Sequence, residues 1–356
     1  MHDVVIAGGG PAGLAAAIRS AQRGFRTVLF ERQAGIPDKA CGEGLMPSGA
    51  RELQRLGARI PSDQCATFRG IRYLQEDRTV LEARFRDGAG IGIRRLALVA
   101  ALRERAASCG AELARGAVLG FSAGSDRVEV RTGEGPIEAR LLIAADGLNS
   151  ALRRAAGLQA PAGRGPLRFG IRRHFALSPW TDLVEVHWMA GAEAYVTPIS
   201  PRAVNVAFLL ERDAGGEFDR LLERFPRLGE RLAGAPFASE VRGAGPLLQR
   251  VRIPWSGRLV LVGDAAGYVD AITGQGLSLA FAASALLMDL LPDDLSVDLL
   301  PALRAYQARL RPRWLAYALP AQALVALSRR PALRRAAFRS LRAIPGAFAA
   351  IVRAVA

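Results

Sequence analysis

The sequence is poor in residues on which several classes of function depend. Its 356 residues include one lysine, Lys39, three histidines and three cysteines. Cys41, Cys65 and Cys109 are odd in number and form no CxxC pair, which argues against a disulfide framework and favours a reducing compartment. The histidines have no ligand spacing with cysteines or carboxylates, so we predict no metal site.

Long apolar runs and export signals are also missing. No stretch of about 18 uncharged apolar residues occurs, so no membrane-spanning helix is expected. Residues 1–6 lead directly into an apolar strand pattern without a basic region or a cleavage site. These absences predict a cytoplasmic protein.

The net charge of +15 is carried almost wholly by arginine. The arginines are spread along the chain, aromatic residues make up 6% of it, and no nucleic-acid-binding module is visible. A compositional bias towards arginine and alanine explains the charge, and no nucleic-acid partner is predicted.

Residues 1–31 have the pattern of a complete β-α-β unit. An apolar strand is followed by a GxGxxG motif, an alanine-rich helix and a second apolar strand that ends at Glu31. The glycines permit a tight turn, backbone approach to a pyrophosphate and close packing of helix on strand, while the helix N-terminus offers N–H groups to phosphates. Glu31 can accept hydrogen bonds from ribose hydroxyls. The unit predicts a dinucleotide site that includes Gly8, Gly10, Pro11, Ala12, Gly13, Glu31 and Arg32.

Two later segments each have the pattern of a buried strand followed by a polar loop. Residues 141–158 contain a strand and then Asp146-Gly147, and residues 257–291 contain a strand and then Gly263-Asp264. In the latter segment Gly274-Gln275-Gly276 opens a long apolar helix. With the GxGxxG motif, this order of motifs over residues 1–290 resembles the FAD-dependent oxidoreductases that group the single-component aromatic hydroxylases with the geranylgeranyl reductases.

The resemblance implies FAD as a non-covalent cofactor. It implies that Asp264 binds the ribityl chain and that Gly274, Gln275 and Gly276 lie against the pyrimidine edge of the flavin, where a helix N-terminus favours negative charge. Arg95 opens an Arg-x-x-Leu-x-x-x-Leu pattern that matches the family's arginine helix beside the cofactor, the alternative being a solvated helix residue. Further cofactor contacts are expected from Val118 and Asp146.

The pattern along the chain predicts an α/β fold with three parts. A Rossmann-like FAD-binding domain is expected over residues 1–164 and 255–300, interrupted by a substrate-binding domain over 165–254. The inserted part alternates apolar and polar residues between prolines and glycines, which is typical of an antiparallel β-sheet. A helical C-terminal region is expected over 301–356, broken into short helices by Pro320, Pro331 and Pro345.

The segment after the first β-α-β unit contains the candidates for substrate contact. Relatives in the reductase branch carry a Cys-Gly-rich loop here that faces the flavin, and this chain has Cys41-Gly42-Glu43-Gly44 before a helix near Pro47. Cys41 is either functional or a small buried apolar residue. Glu43 is either a proton donor or a surface charge. Met46, with its flexible thioether, and Tyr195 of the inserted sheet are expected to line the substrate pocket.

The motifs are intermediate between the two branches of the family. Ala271 stands where hydroxylases usually have a proline, and the segment around Tyr195 lacks the tryptophan and phenylalanine usual in the reductases. The leading prediction is an FAD-dependent monooxygenase that hydroxylates a lipophilic aromatic small molecule, such as a polyketide-type product, with NAD(P)H and O₂. The alternatives are a reductase that saturates C=C bonds of a prenyl chain and an electron-transfer flavoprotein. Since only one GxGxxG motif is present, NAD(P)H binds transiently or a partner delivers the electrons.

The C-terminal region combines apolar runs with arginine clusters. Such cationic amphipathic helices lie on an anionic membrane surface, or they pack an apolar face on the FAD domain and expose their arginines to water. Both interpretations suit a lipophilic substrate.

Overall fold

The computed structural model describes residues 1–161, 167–211 and 216–355. The predicted domain boundary between residues 164 and 165 lies outside the described residues. The strands are β1 (His2–Ala7), β2 (Thr27–Glu31), β3 (Gly44–Leu45), β4 (Cys65–Phe68), β5 (Gly70–Gln75), β6 (Val80–Arg84), β7 (Gly90–Ile93), β8 (Glu112–Arg115), β9 (Val118–Ala123), β10 (Val128–Thr132), β11 (Gly135–Ala144), β12 (Arg168–Phe175), β13 (Val184–Met189), β14 (Ala192–Ser200), β15 (Ala203–Glu211), β16 (Arg242–Ala244), β17 (Trp255–Ser256) and β18 (Leu259–Leu261). The helices are α1 (Pro11–Gln22), α2 (Pro47–Leu56), α3 (Arg95–Ser108), α4 (Ala151–Ala155), α5 (Phe218–Glu223), α6 (Pro226–Leu232), α7 (Gly276–Leu290), α8 (Leu300–Ser328), α9 (Pro331–Ala343) and α10 (Ala347–Val355).

The first sheet has the strand order β17-β18-β11-β1-β2-β8, with the hairpin β9-β10 attached to β11. Strands β18, β11, β1, β2 and β8 are parallel. The apolar runs of β18, β11, β1 and β2 are buried on both faces, as expected for parallel strands covered on each side. Helices α1, α3 and α7 pack on one face through a shared apolar core. This arrangement confirms the predicted Rossmann-like part of an α/β fold.

The second sheet has the order β16-β12-β15-β14-β13-β5-β6 and is antiparallel except where β13 runs parallel to β5. Side chains of β14 alternate between its two faces. Ala194 and Val196 pack towards α5 and α6, while Tyr195 and Thr197 point to the opposite face and line the cavity described below.

The second sheet extends further along the chain than the sequence predicted. Strands β5 and β6 belong to it, although residues 70–84 fall within the range assigned to the FAD-binding domain. The reason is that β5 pairs with β13, more than one hundred residues later in the sequence. Such a pairing leaves no local pattern in the sequence.

The C-terminal helices cover the second sheet. The first turns of α8 pack on the core of the FAD-binding domain, whereas its last turns, α9 and α10 pack on the second sheet. The prediction that Pro320 breaks the helix is wrong. Helix α8 continues through Pro320, and Tyr317, Ala318 and Ala321 are buried around it. Tertiary packing therefore outweighs the lost backbone hydrogen bond. Pro331 begins α9 as expected. None of the described helices is long and apolar enough to cross a membrane.

Candidate active site

A continuous cavity of about 1500 Å³ lies between the carboxyl ends of the parallel strands and the second sheet. Ligands of open α/β sheets bind at this edge. Nearly all of the sequence-predicted site residues line the cavity: Gly8, Gly10, Pro11, Ala12, Glu31, Arg32, Cys41, Glu43, Met46, Arg95, Val118, Asp146, Tyr195, Asp264, Gly274 and Gly276. Gly13 and Gln275 are the predicted residues that do not line it.

The loop between β1 and α1 brings bare backbone to the cavity. Gly8 has a φ of +110°, and its N–H donates to the carbonyl of Phe30 at 2.8 Å. A Cβ atom on Gly13 would lie 2.0 Å from the carbonyl oxygen of Gly8, so Gly13 serves close packing under the loop. Helix α1 begins at Pro11 with no side-chain cap, which leaves its first N–H groups free for an anion.

Glu31 lies at the carboxyl end of β2, beside this loop. One carboxylate oxygen accepts the N–H of Gly9 at 2.8 Å, and the other accepts the N–H of Gln33 at 3.0 Å. Each oxygen retains acceptor capacity. Glu31 therefore both shapes the glycine loop and presents acceptors at the cavity wall.

The two later strand-loop segments meet through a buried arginine that sequence reasoning missed. The Arg153 guanidinium donates to the carbonyl oxygens of Leu148 at 2.6 Å and Ala265 at 3.1 Å. It also donates to the side chains of Gln159 and Gln249. Arg153 thus holds the Asp146 loop and the Asp264 loop in a fixed relation. Its position at the start of α4 is visible in the sequence, but its partners are not.

Charged groups converge where these loops meet. Burial raises the pKa of Asp264, and the nearby cations of Arg95, Lys39 and Arg153 oppose that rise. Among the described residues, the buried Oδ1 of Asp146 and Nε of Arg95 have no hydrogen-bond partner. Polar atoms left in this way at a cavity wall are available to a bound ligand.

Glu43 is almost fully buried, which rules out a surface charge. Its backbone has a φ of +59°, a conformation uncommon for a residue other than glycine. One carboxylate oxygen accepts the N–H of Arg95 at 2.8 Å, and the other bonds to Nε2 of His174 at 2.5 Å. Both oxygens are thus engaged, and Glu43 joins the Cys41 loop to α3 and to β12.

Cys41 lies in the same loop at the cavity wall. Its sulfur accepts the N–H of Glu43 at 3.4 Å, and its carbonyl accepts from the amide of Asn205 at 3.0 Å. Burial raises the pKa of the Cys41 thiol, and Arg95 opposes this rise. The sulfur therefore carries its proton at neutral pH.

A buried ionic cluster fixes the loop that precedes α7. The Arg168 guanidinium bonds to Asp270 at 2.9 Å and to Glu193 at 2.7 Å. Burial alone would lower the pKa of Arg168, but the two carboxylates raise it. The hydroxyl of Tyr195 donates to the carbonyl of Ile272 in the same loop at 3.1 Å. The second sheet thereby holds the loop that leads to Gly274.

The cavity continues as an apolar chamber, a name used here for the part that is lined by β5, β13, Tyr195 of β14 and helices α8–α10. The sheet supplies Ile71, Tyr73, Val184, Val186 and Tyr195. The helices supply Pro320, Ala323, Leu324, Leu327, Phe338, Leu341, Phe348, Ile351 and Val352. None of these side chains carries a charge at neutral pH. The helical contribution was not predicted, because helical periodicity identifies a buried face but not the surface on which it packs.

The arginine clusters of the C-terminal region are only partly exposed. Arg334 is fully buried, donating to Gln75 and to the carbonyl of Met189, each at 3.0 Å. Arg335 pairs with Glu76 at 3.4 Å. The helices therefore act as a cap that is bonded to the second sheet, rather than one packed only on the FAD domain.

The polar end of the cavity, named here the nucleotide end, fits FAD. Its uncapped helix N-terminus suits a pyrophosphate, the Glu31 carboxylate suits ribose hydroxyls, and Asp146, Arg95 and Asp264 provide unpaired polar atoms and charge. A Rossmann-like domain with this site and an adjoining apolar chamber defines the class of FAD-dependent oxidoreductases. Within that class, the chain belongs to the family described as FAD binding domain, whose model matches residues 1–296.

Curated relatives and solved structures agree with this assignment. The digeranylgeranylglycerophospholipid reductase 1 of Methanopyrus kandleri is 30% identical over an alignment of 302 residues that covers 78% of this chain and 77% of that protein. The menaquinone reductase of Mycolicibacterium smegmatis is 28% identical over 300 residues, covering 77% of this chain and 72% of that protein.

Among solved structures, the flavin-dependent halogenase CmlS shares the fold with a TM-score of 0.80 and 22% identity, covering 89% of this chain. This chain spans 63% of the length of CmlS. A flavoprotein/dehydrogenase from Cytophaga hutchinsonii has a TM-score of 0.78 and 19% identity, covering 94% of this chain and 87% of that protein.

Proposed function

We propose that this protein is a reductase that saturates C=C bonds in the prenyl chain of a lipid-soluble substrate. The observation that carries the proposal is the apolar chamber, which continues directly from the nucleotide end and is covered by α8–α10. The chamber matches an aliphatic chain, since burial of hydrocarbon gains roughly 0.8 kcal/mol for each CH₂ group and the side chains that β5, β13 and α8–α10 place along it are uncharged.

The relatives support this interpretation over the monooxygenase that the sequence analysis put first. The two curated relatives described above are named as reductases. The similarity to a halogenase structure shows a shared fold and does not indicate the reaction. NAD(P)H or a partner protein remains the proposed source of electrons.

The chemistry divides between cofactor and protein. FAD, when bound and reduced, supplies the hydride that saturation of a double bond requires. The protein must supply a proton to the second carbon and keep water away. The thiol of Cys41 is protonated at neutral pH and lines the cavity, so it is the candidate proton donor. Glu43 would hold the Cys41 loop in place through its bonds to Arg95 and His174.

The reaction can be tested with the purified holoprotein and a geranylgeranyl glycerophospholipid as the probe. Under argon with dithionite as reductant, we expect products that have gained two hydrogen atoms for each reduced double bond, as measured by mass spectrometry. A Cys41→Ser variant should keep its FAD and turn over more slowly.

Two other outcomes would reject the proposal. A product that gains an oxygen atom, formed only in air with NAD(P)H, would establish a monooxygenase. Electron transfer to a soluble quinone, without any change in the prenyl chain, would establish an electron-transfer flavoprotein.

A further inference from the structure

The C-terminal helices carry positive charge that is not balanced within their own segment. From Leu300 to Ala356 the sequence has eleven arginines and no aspartate or glutamate. Some of these arginines face acidic groups of the second sheet, among them Arg329 with Glu211 and Arg335 with Glu76. The seven others are exposed and form no ion pair within the described residues, namely Arg304, Arg309, Arg311, Arg313, Arg330, Arg342 and Arg353.

Large apolar side chains are exposed between these arginines. Leu315 and Leu319 share one face of α8, since they are four residues apart. Leu333 lies in the first turn of α9, and Ile344 directly follows the last residue of that helix, Ala343. Leu319 and Ile344 are 60% and 57% exposed.

The apolar chamber opens to the surface beside these side chains. Ala323 of α8 and Ile351 of α10 both line the cavity and are exposed to solvent. Leu319 precedes Ala323 by one helical turn, so it lies next to the opening. The exposed apolar side chains therefore adjoin the route into the chamber.

We propose that this surface, made of Leu315, Leu319, Leu333 and Ile344 with Arg330 and Arg342, docks on an anionic lipid bilayer. Guanidinium groups attract anionic headgroups, while leucine and isoleucine side chains enter the boundary of the acyl region. Single-stranded nucleic acid fits less well, because none of the described exposed large apolar side chains on these helices is aromatic and available for base stacking. That the substrate enters from the bilayer through the opening rests on the proposed function; the docking itself does not.

Vesicle flotation tests the electrostatic contribution of the arginines to bilayer binding. The holoprotein should float with vesicles of equimolar phosphatidylcholine and phosphatidylglycerol, and far less with phosphatidylcholine alone. An Arg330→Gln/Arg342→Gln variant should bind the mixed vesicles about 25-fold more weakly at low salt, since each arginine near an anionic surface contributes roughly fivefold. The matched control is Arg220→Gln/Arg227→Gln on α5 and α6, which pack on the opposite face of the second sheet.

The contribution of the apolar side chains to bilayer binding is tested by the triple variant Leu319→Ser/Leu333→Ser/Ile344→Ser. Ile253→Ser, at another exposed apolar position, is the control. We expect the triple variant to lose binding to mixed vesicles at high salt, where charge attraction is screened. Thermal unfolding checks that each variant is folded. The proposal is overturned if the wild type does not float, if both surface variants bind like their controls, or if single-stranded RNA binds more tightly than mixed vesicles at the same salt concentration.

The two proposals can fail separately. None of the substituted residues lines the cavity, so every variant should reduce a detergent-dispersed prenyl probe as well as the wild type does. A wild type that floats but reduces no prenyl chain would leave the docking intact and reject the proposed function. A wild type that reduces the dispersed probe but never floats would support the proposed function and reject the docking.

Discussion

The nucleotide end and the apolar chamber are two halves of one cavity, yet they are built from different parts of the chain. Most of the nucleotide end comes from loops that directly follow parallel strands, so most of its contacts are set by short motifs. The chamber comes from three segments, 70–75, 184–197 and 320–352, that meet only in the folded protein. A site made of local motifs and one made of distant segments should respond differently to substitution, and the predictions below test that difference.

The largest effect is expected from Gly13→Ala at the nucleotide end. The new Cβ would meet the Gly8 carbonyl oxygen at 2.0 Å and force the glycine loop to move. We expect the protein to lose bound FAD, as measured by absorbance of the purified protein, and to lose about 1–3 kcal/mol in its free energy of unfolding. Gly229→Ala in α6 is the control, because no atom lies within 4 Å of its added Cβ. Retention of FAD by Gly13→Ala would show that the loop tolerates displacement.

At the chamber, Arg334→Met should destabilise the protein without affecting FAD. Removal of the guanidinium leaves Gln75 and the carbonyl of Met189 buried without their donor. We expect a loss of about 1–2 kcal/mol in the free energy of unfolding measured with urea, with FAD affinity unchanged. Arg342→Met, at an exposed position, should change stability by less than about 0.5 kcal/mol. A parallel loss of FAD affinity would mean that the two halves are coupled.

Glu31→Ala should weaken FAD binding by about tenfold or more, because the acceptors expected for ribose are lost at roughly 1.5–3 kcal/mol. The variant also releases the N–H of Gly9, so the glycine loop loses one restraint. Equilibrium dialysis of FAD measures the affinity, and Glu129→Ala on β10 controls for loss of an exposed carboxylate. An unchanged dissociation constant would reduce Glu31 to a loop-shaping role.

Tyr195→Ala should raise KM about tenfold for the prenyl probe while the FAD content stays normal, because the ring lines the chamber. Tyr195→Phe keeps the ring and loses only the bond to the Ile272 carbonyl, at about 0.5–1.5 kcal/mol. Steady-state kinetics of both variants separate packing from hydrogen bonding. If the alanine variant fails to fold, the residue belongs to the structural core.

The smallest effect concerns Asp264. Because burial raises its pKa in the folded state, the stabilising contribution of this group is present below its unfolded pKa and is lost as pH rises through the folded value. At neutral pH the ionised carboxylate therefore costs stability. Asp264→Asn should raise the unfolding free energy of the FAD-free protein by about 0.5–1 kcal/mol at neutral pH, yet lower FAD affinity. A stability loss in the FAD-free variant would contradict this assignment.

The same contrast explains what the sequence could and could not predict. The β-α-β unit and the loops of Asp146 and Asp264 were predictable, because strand, turn and helix follow one another along the chain. Glu43 was not, since its burial depends on His174, far away on β12. The burial of Arg334 was not predictable either, because an arginine cluster in a sequence is typical of a solvated surface. The partners that bury Arg334 lie on distant strands.

The boundary between α7 and α8 has a consequence for how such proteins diversify. The family match ends at residue 296, while the helices that close the chamber begin at Leu300. Selection can therefore reshape this wall of the chamber without altering the segments that line the nucleotide end. A hybrid chain that takes residues 300–356 from a relative should keep its flavin and inherit the preference of the donor.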